Sequence, residues 1–272
     1  MENVDSKGRA WAKVVVATAL VFITAIAWVV YAGKVYNNFL PLQDLQFYSL
    51  YPIGAGLAAV VTALVFDRSL VAFALKAVKW KYIIWAFILA SVITLAPFIL
   101  NIVLHLEGLN KPSMVFVQLL AIGLPVLFVT TLLEEILWRG IVYNGMKTIF
   151  GFNTIALLTG LLTAAWHYPV IIHTRLMFND KPLGFALIMY TMLTTGLAYV
   201  YTYIRKVSGS IWPVVVMHTF INWYYLAIII PLEKPIYPWS IFFECNIGVL
   251  YVLFAFAGAV YYVQVVREPE QP

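Results

Sequence analysis

The chain has 272 residues, 63% of them hydrophobic and only 11% charged, with a mean hydropathy of +0.91. Soluble domains carry roughly a quarter charged residues, so this composition excludes an ordinary water-soluble fold and makes lipid the solvent. The surplus of five positive charges is scattered between apolar runs rather than gathered on one face, which argues against a nucleic-acid partner.

One helical span needs about 20 apolar residues, and eight fit, predicting an all-α polytopic transmembrane bundle. The first, about 10–31, follows Lys7, Arg9 and Lys13. That leader resembles a secretory signal, but the apolar run is longer than the ~7–15 residues such signals use, so it is expected to be retained as a span. The second covers about 46–66. Between it and the third at 82–104, the segment Asp67 to Lys81 mixes Leu70, Val71 and Phe73 with bases, predicting an amphipathic helix on the membrane surface. The remaining spans are expected at 114–146, 153–173, 184–204, 211–230 and 240–264. No repeat and no sizeable soluble segment is left, so residues 1–272 read as one membrane domain. Pro169 falls inside the fifth span and predicts a helix break, which lipid tolerates only beside protein or a wet cavity. Cys245 is the only cysteine, which rules out a disulfide within one chain and leaves it a packing role.

Charge asymmetry orients the bundle. A cytoplasmic N-terminus puts Lys7, Arg9, Lys13, Arg68, Lys76, Lys79, Lys81, Lys147, Arg205, Lys206 and Arg267 inside, against Lys34, Lys111, Arg175, Lys181 and Lys234 outside, as the positive-inside tendency requires. An even number of spans then returns the C-terminus to the cytoplasm.

The fourth span contains Leu133-Glu134-Glu135-Ile136-Leu137-Trp138-Arg139. A charged side chain at the bilayer centre costs at least ~2.5–3.5 kcal/mol on insertion scales, so such residues mark function by default. Glu135 and Arg139 stand four apart with the acid first, so they share a helix face and can pair. Glu134 points about 100° away with no partner on its own helix, free to take or give a proton. The competing reading is a salt-bridge cluster at the end of a span. His167 is a lone imidazole in the fifth span, and such residues are often only packed. In the seventh, His218 and Asn222 lie one turn apart on one stripe. They suit a pair of donors to a developing oxyanion, or a hydrogen-bond clamp between helices. Counted from Lys147, Asn153 and Lys206, the residues Glu134, His167 and His218 lie thirteen, fourteen and twelve positions in, roughly 18–21 Å at 1.5 Å per residue. One depth for three spans favours one shared site.

In that order, Glu134-Glu135-x-x-x-Arg139, His167 and His218-x-x-x-Asn222 resemble the CAAX protease and bacteriocin-processing family of intramembrane glutamate endopeptidases. The resemblance covers a core of about 114–230. It implies that Glu134 and His167 activate a water, that His218 and Asn222 stabilise the oxyanion, and that Glu135 and Arg139 support them. It implies membrane-associated peptide or lipidated protein substrates, including prenylated C-termini. Thr163 departs from the pattern, since the family often has phenylalanine four residues before the middle histidine, and it predicts altered packing around the water.

Other chemistries fit less well. No Gly-x-Ser-x-Gly elbow is present, and Ser208 and Ser210 fall in a loop. Asp5, Asp44, Asp67 and Asp180 all lie outside the expected spans. Glu134, His167 and His218 could supply three zinc ligands with an open position, although His-Glu-x-x-His is missing; no cofactor is expected. His105 and His173 are expected near the outer surface, away from the site. Two rivals of another class stay open: a proton-coupled transporter, for which no inverted repeat is visible, and a non-catalytic scaffold or immunity protein of the same fold.

Overall fold

Lipid offers backbone groups no hydrogen-bond partners, so apolar runs of this length must satisfy themselves as helices. A computed structural model describes residues 2–35, 50–112, 114–174, 181–244 and 247–265. Among them run eight principal helices: α1 (Glu2–Val35), α2 (Ile53–Thr62), α3 (Trp80–Val103), α4 (Met114–Glu135), α5 (Phe152–Thr174), α6 (Leu183–Ser208), α7 (Trp212–Trp223) and α8 (Val249–Val265). Six, counting the continuations of α4 to Met146 and of α7 to Leu232, are long and apolar enough to cross a membrane; α2 and α8 are shorter apolar helices. Ile23, Val65 and Ile188, each more than 60% exposed, cover the rim with the surface lipid requires. The molecule is an all-α integral membrane bundle. Asp44, Asp180, Arg175, Arg267, Cys245 and the expected start of the second span lie outside the described residues.

Three expectations need correction. Asp67 to Lys81 does not form an amphipathic helix: Leu70–Phe73 is one 3₁₀ turn, and Arg68 and Ala74 adopt left-handed backbone at φ 50° and 55°. The segment is instead held inward. Asn144 Nδ2 donates to the Ala72 carbonyl (2.7 Å), Ile211 N to Ala74 (3.2 Å) and the Ser210 hydroxyl to Lys76 (2.7 Å), while Phe73 is buried. The eighth span does not begin at 240. Ser240 accepts from the Ile236 and Tyr237 amides and donates to the Leu106 carbonyl (2.6 Å), pinning Ser240–Phe242 as a 3₁₀ turn that hydropathy alone cannot distinguish from helix. Nor does Pro169 break α5, which runs on to Thr174; the Tyr51 hydroxyl donates to the neighbouring Trp166 carbonyl.

Helices α5 and α6 pack along each other, α6 against α8, α7 against α3 and α4, and α1 against α2 and α5. One buried core, including Val21, Ala59, Leu137, Ile141 and Trp166, joins α1, α2, the end of α4 and α5. A second, including Ile93, Leu197, Tyr201, Met217 and Tyr251, joins α3, α6, α7 and α8. Gly160 sets the α5–α6 approach, because a Cβ there would lie 2.6 Å from the Thr195 Cα. Gly160→Ala must push backbone rather than a flexible side chain, and overpacking of this kind costs about 1–3 kcal/mol. A lower thermal midpoint in detergent is expected; an unchanged one would mean the helices part without cost.

At one end of the bundle, β1 (Glu107–Leu109) pairs antiparallel with β2 (Glu233–Pro235). This small ribbon covers a buried polar cluster in which Glu107 lies 1% exposed, its Oε1 3.5 Å from Asn101 Nδ2, near the Lys181–Glu244 ion pair. Burial, the hydrogen bond with Glu233 and the charges of Glu233 and Glu244 push the Glu107 carboxyl up to about 10, against the pull of Lys181. The folded protein therefore keeps a proton that the unfolded chain releases above about pH 4.5. Stability from this group is full at acid pH and declines as pH climbs towards 10. Glu107→Gln should flatten that decline in thermal midpoints taken at pH 5, 7 and 9; equal slopes for the two proteins would contradict it.

Candidate active site

The pair Glu134-Glu135 ends the regular part of α4, and Ile136–Val142 continues as a π-helical turn. Wide turns of this kind concentrate at functional sites. Helix α7 likewise passes into a π turn at Tyr224–Ile229. The hydroxyls of Thr131 and Thr219, 2.6 Å apart, tie α4 to α7 beside His218. These contacts set the height of Glu134 against the imidazole from the neighbouring helix.

Between the two cores lies a cavity of about 180 Å³ whose lining includes Glu134, Arg139, Thr163, His167, Tyr201, His218 and Asn222. The fold thus gathers Glu134, His167, His218 and Asn222 around one cavity. The walls between them are apolar, with Leu127, Leu193, Leu197, Ile221 and Leu226. Glu134 is 6% exposed, and its Oε2 has no hydrogen-bond partner among the described residues. It lies within electrostatic reach of His218, Glu135 and Arg139. A buried polar atom left unpaired costs about 1–3 kcal/mol, and each one calls for an explanation, a catalytic role among them.

Each histidine is turned by its Nδ1. His167 Nδ1 lies 2.8 Å from the Thr163 carbonyl, which can only accept, so the neutral imidazole donates there and presents a bare Nε2. Trp166 and Tyr190 hold the ring, at centroid distances of 4.5 and 5.1 Å. Thr163 thus serves His167 through its backbone, whatever its side chain, while its own hydroxyl turns back to the Thr159 carbonyl (2.7 Å). The departure from phenylalanine leaves the histidine anchored and the cavity wall smaller.

Glu135 does more than pair with Arg139. Its Oε1 accepts from Arg139 Nη1 at 3.3 Å and from His218 Nδ1 at 2.8 Å, with the Glu135 side chain fully buried and that of Arg139 only 4% exposed. A carboxylate on Nδ1 fixes the imidazole's orientation. The intrahelical spacing announced the Arg139 contact, but nothing in the sequence announced His218, which reaches Glu135 from another helix. Sequence reasoning also missed Tyr201. Its ring centroid is 4.8 Å from the Arg139 guanidinium carbon and 5.5 Å from the His218 ring. Asn222 lines the same cavity one turn beyond His218.

The other candidates are elsewhere. His105 sits at the end of α3 with φ 54°, and His173 is exposed near the end of α5. Asp67 pairs with Lys13, and Ser208 and Ser210 cap the turn into α7. Among the described residues, no group of three or more His, Cys, Asp or Glu is placed to hold a metal ion.

No curated protein matches the chain. A family model does: that of the Rce1-like type II CAAX prenyl endopeptidases matches residues 115–224. That interval carries Glu134, Glu135, Arg139, His167, His218 and Asn222, so the part of the chain that holds the site is similar to the Rce1-like CAAX prenyl endopeptidases.

Proposed function

We propose that the protein is an intramembrane endopeptidase in which Glu134 activates water to cleave a membrane-associated peptide. One observation carries the reading: a buried carboxyl with an oxygen unpartnered among the described residues shares a cavity with two imidazoles, each turned by its Nδ1. Glu134 takes a proton from water whose second hydrogen is accepted by His167 Nε2. The resulting hydroxide adds to the scissile carbonyl. Nε2–H of protonated His218 and the Asn222 amide meet the oxyanion, which is where preorganised donors lower a barrier most. Glu134 then returns its proton to the departing amine, closing the balance without a covalent nucleophile.

The apolar walls favour a substrate that brings a hydrocarbon chain, and the family favours a lipidated C-terminus among such substrates. The reaction is proposed to need no metal, with Glu134, His167 and His218 working as proton-handling groups rather than zinc ligands. Reconstituted in liposomes, the protein should cleave a prenylated C-terminal peptide, cleave the unprenylated peptide more slowly, and keep its rate after treatment with 1,10-phenanthroline. Equal rates on the two peptides would reject the lipidated substrate. Loss of turnover on chelation, restored by zinc, would reject the metal-free mechanism.

A further inference from the structure

We infer that Tyr201 is a positioning residue for this reaction, whose aromatic face holds the Arg139 and His218 cations over the single Glu135 carboxylate. The inference rests on the endopeptidase reading above. Arg139 and protonated His218 bring two positive charges to one carboxylate oxygen, beside the cavity and with Glu135 and Arg139 buried. Besides Glu134, which lies within electrostatic reach of both cations, an aromatic face is presented to both. The Tyr201 ring lies 4.8 Å from the Arg139 guanidinium carbon and 5.5 Å from the His218 ring, the latter tilted by only 30°. Both distances are within the roughly 6 Å over which an aromatic face attracts a cation, and the attraction grows when the pair is desolvated. Tyr201 is 4% exposed.

The hydroxyl does not account for the residue. It is buried with no hydrogen-bond partner among the described residues, although Glu135, Tyr251, Arg139 and Glu134 all lie within electrostatic reach. The contacts therefore use the ring. Tyr201 comes from α6, which carries none of the family-motif residues, and it fixes the imidazole face from the side opposite in sequence to Glu135. By keeping His218 charged and in one orientation, it holds an N–H on the oxyanion rather than on the resting substrate, so its loss should appear in kcat.

The test replaces Tyr201 with phenylalanine and then with phenylalanines carrying one, two and three ring fluorines, which drain the aromatic face with little change of shape. Cleavage of the prenylated peptide is followed in liposomes. Tyr201→Phe should keep kcat within about twofold. Successive fluorination should lower kcat stepwise, by up to about thirtyfold, the value of one desolvated cation–π contact, with KM unmoved. A flat kcat across the series, or a Tyr201→Phe enzyme as slow as the trifluoro variant, would overturn the inference. Glu134→Gln measured beside them separates the two levels: near wild-type turnover in that variant rejects the endopeptidase mechanism itself, whereas a Glu134→Gln enzyme slowed by about a hundredfold or more with a flat fluorine series rejects only the role of Tyr201.

Discussion

Glu134→Gln is expected to lower kcat by about 10²–10⁴, the range a positioned general acid–base contributes, while the protein folds and inserts as before. Glutamine matches the shape of the carboxyl but cannot take a proton from water. Because Glu134 Oε2 has no partner among the described residues, the substitution removes no fold-stabilising hydrogen bond made by that oxygen. The thermal midpoint should hold or rise, the usual sign of a residue retained for activity at some cost in stability. His167→Ala should lower kcat as well, since in the proposed mechanism the imidazole holds the same water by accepting a hydrogen bond from it. The measurement is kcat on the prenylated peptide together with the thermal midpoint in detergent. A Glu134→Gln protein with wild-type turnover would remove the base from the mechanism.

Glu135 should respond differently. Glu135→Ala strands Arg139 in the interior and frees His218 Nδ1 at once, and breaking a buried charge pair from one side costs about 3–5 kcal/mol. The variant is expected to accumulate poorly and melt early. Glu135→Gln keeps an oxygen that can accept from Arg139 or His218 but loses the negative charge that both contacts share. It should fold closer to normal and still turn over at least about tenfold more slowly, the equivalent of about 1.4 kcal/mol in the barrier. Folding assays and kcat taken on both variants check this division. Full activity in Glu135→Gln would confine the residue to a structural role.

Much of this was legible in the sequence because lipid leaves a polar residue so few explanations. The spans at 82–104, 114–146, 153–173, 184–204 and 211–230 are visible as apolar runs, and helices α3, α4, α5, α6 and α7 fall on them. Glu134, Arg139, His167, His218 and Asn222 stand out on the same ground, and all five line one cavity. What escaped depends on contacts distant in sequence. The 70–76 segment has the composition of a surface helix, but its carbonyls are claimed by Asn144, Ser210 and Ile211, and a left-handed Ala74 ends the 3₁₀ turn. Ser240 makes a turn out of a run that hydropathy merges with α8, through bonds that reach back to Leu106. The π turn after Glu135 has no residue pattern of its own. Tyr201 looked like any aromatic residue in an apolar helix until Arg139 and His218 were seen beside it.

The central claim is that water, held by Glu134, attacks the peptide directly. Single-turnover cleavage of the prenylated peptide in H₂¹⁸O, stopped with acid and read by intact-mass and peptide mass spectrometry, tests it most directly. The account predicts one ¹⁸O in the new carboxyl of the product, none in Glu134, and no peptidyl adduct on the enzyme at any time. A transient adduct, or label appearing in the Glu134 carboxyl, would make that side chain the nucleophile and contradict the account.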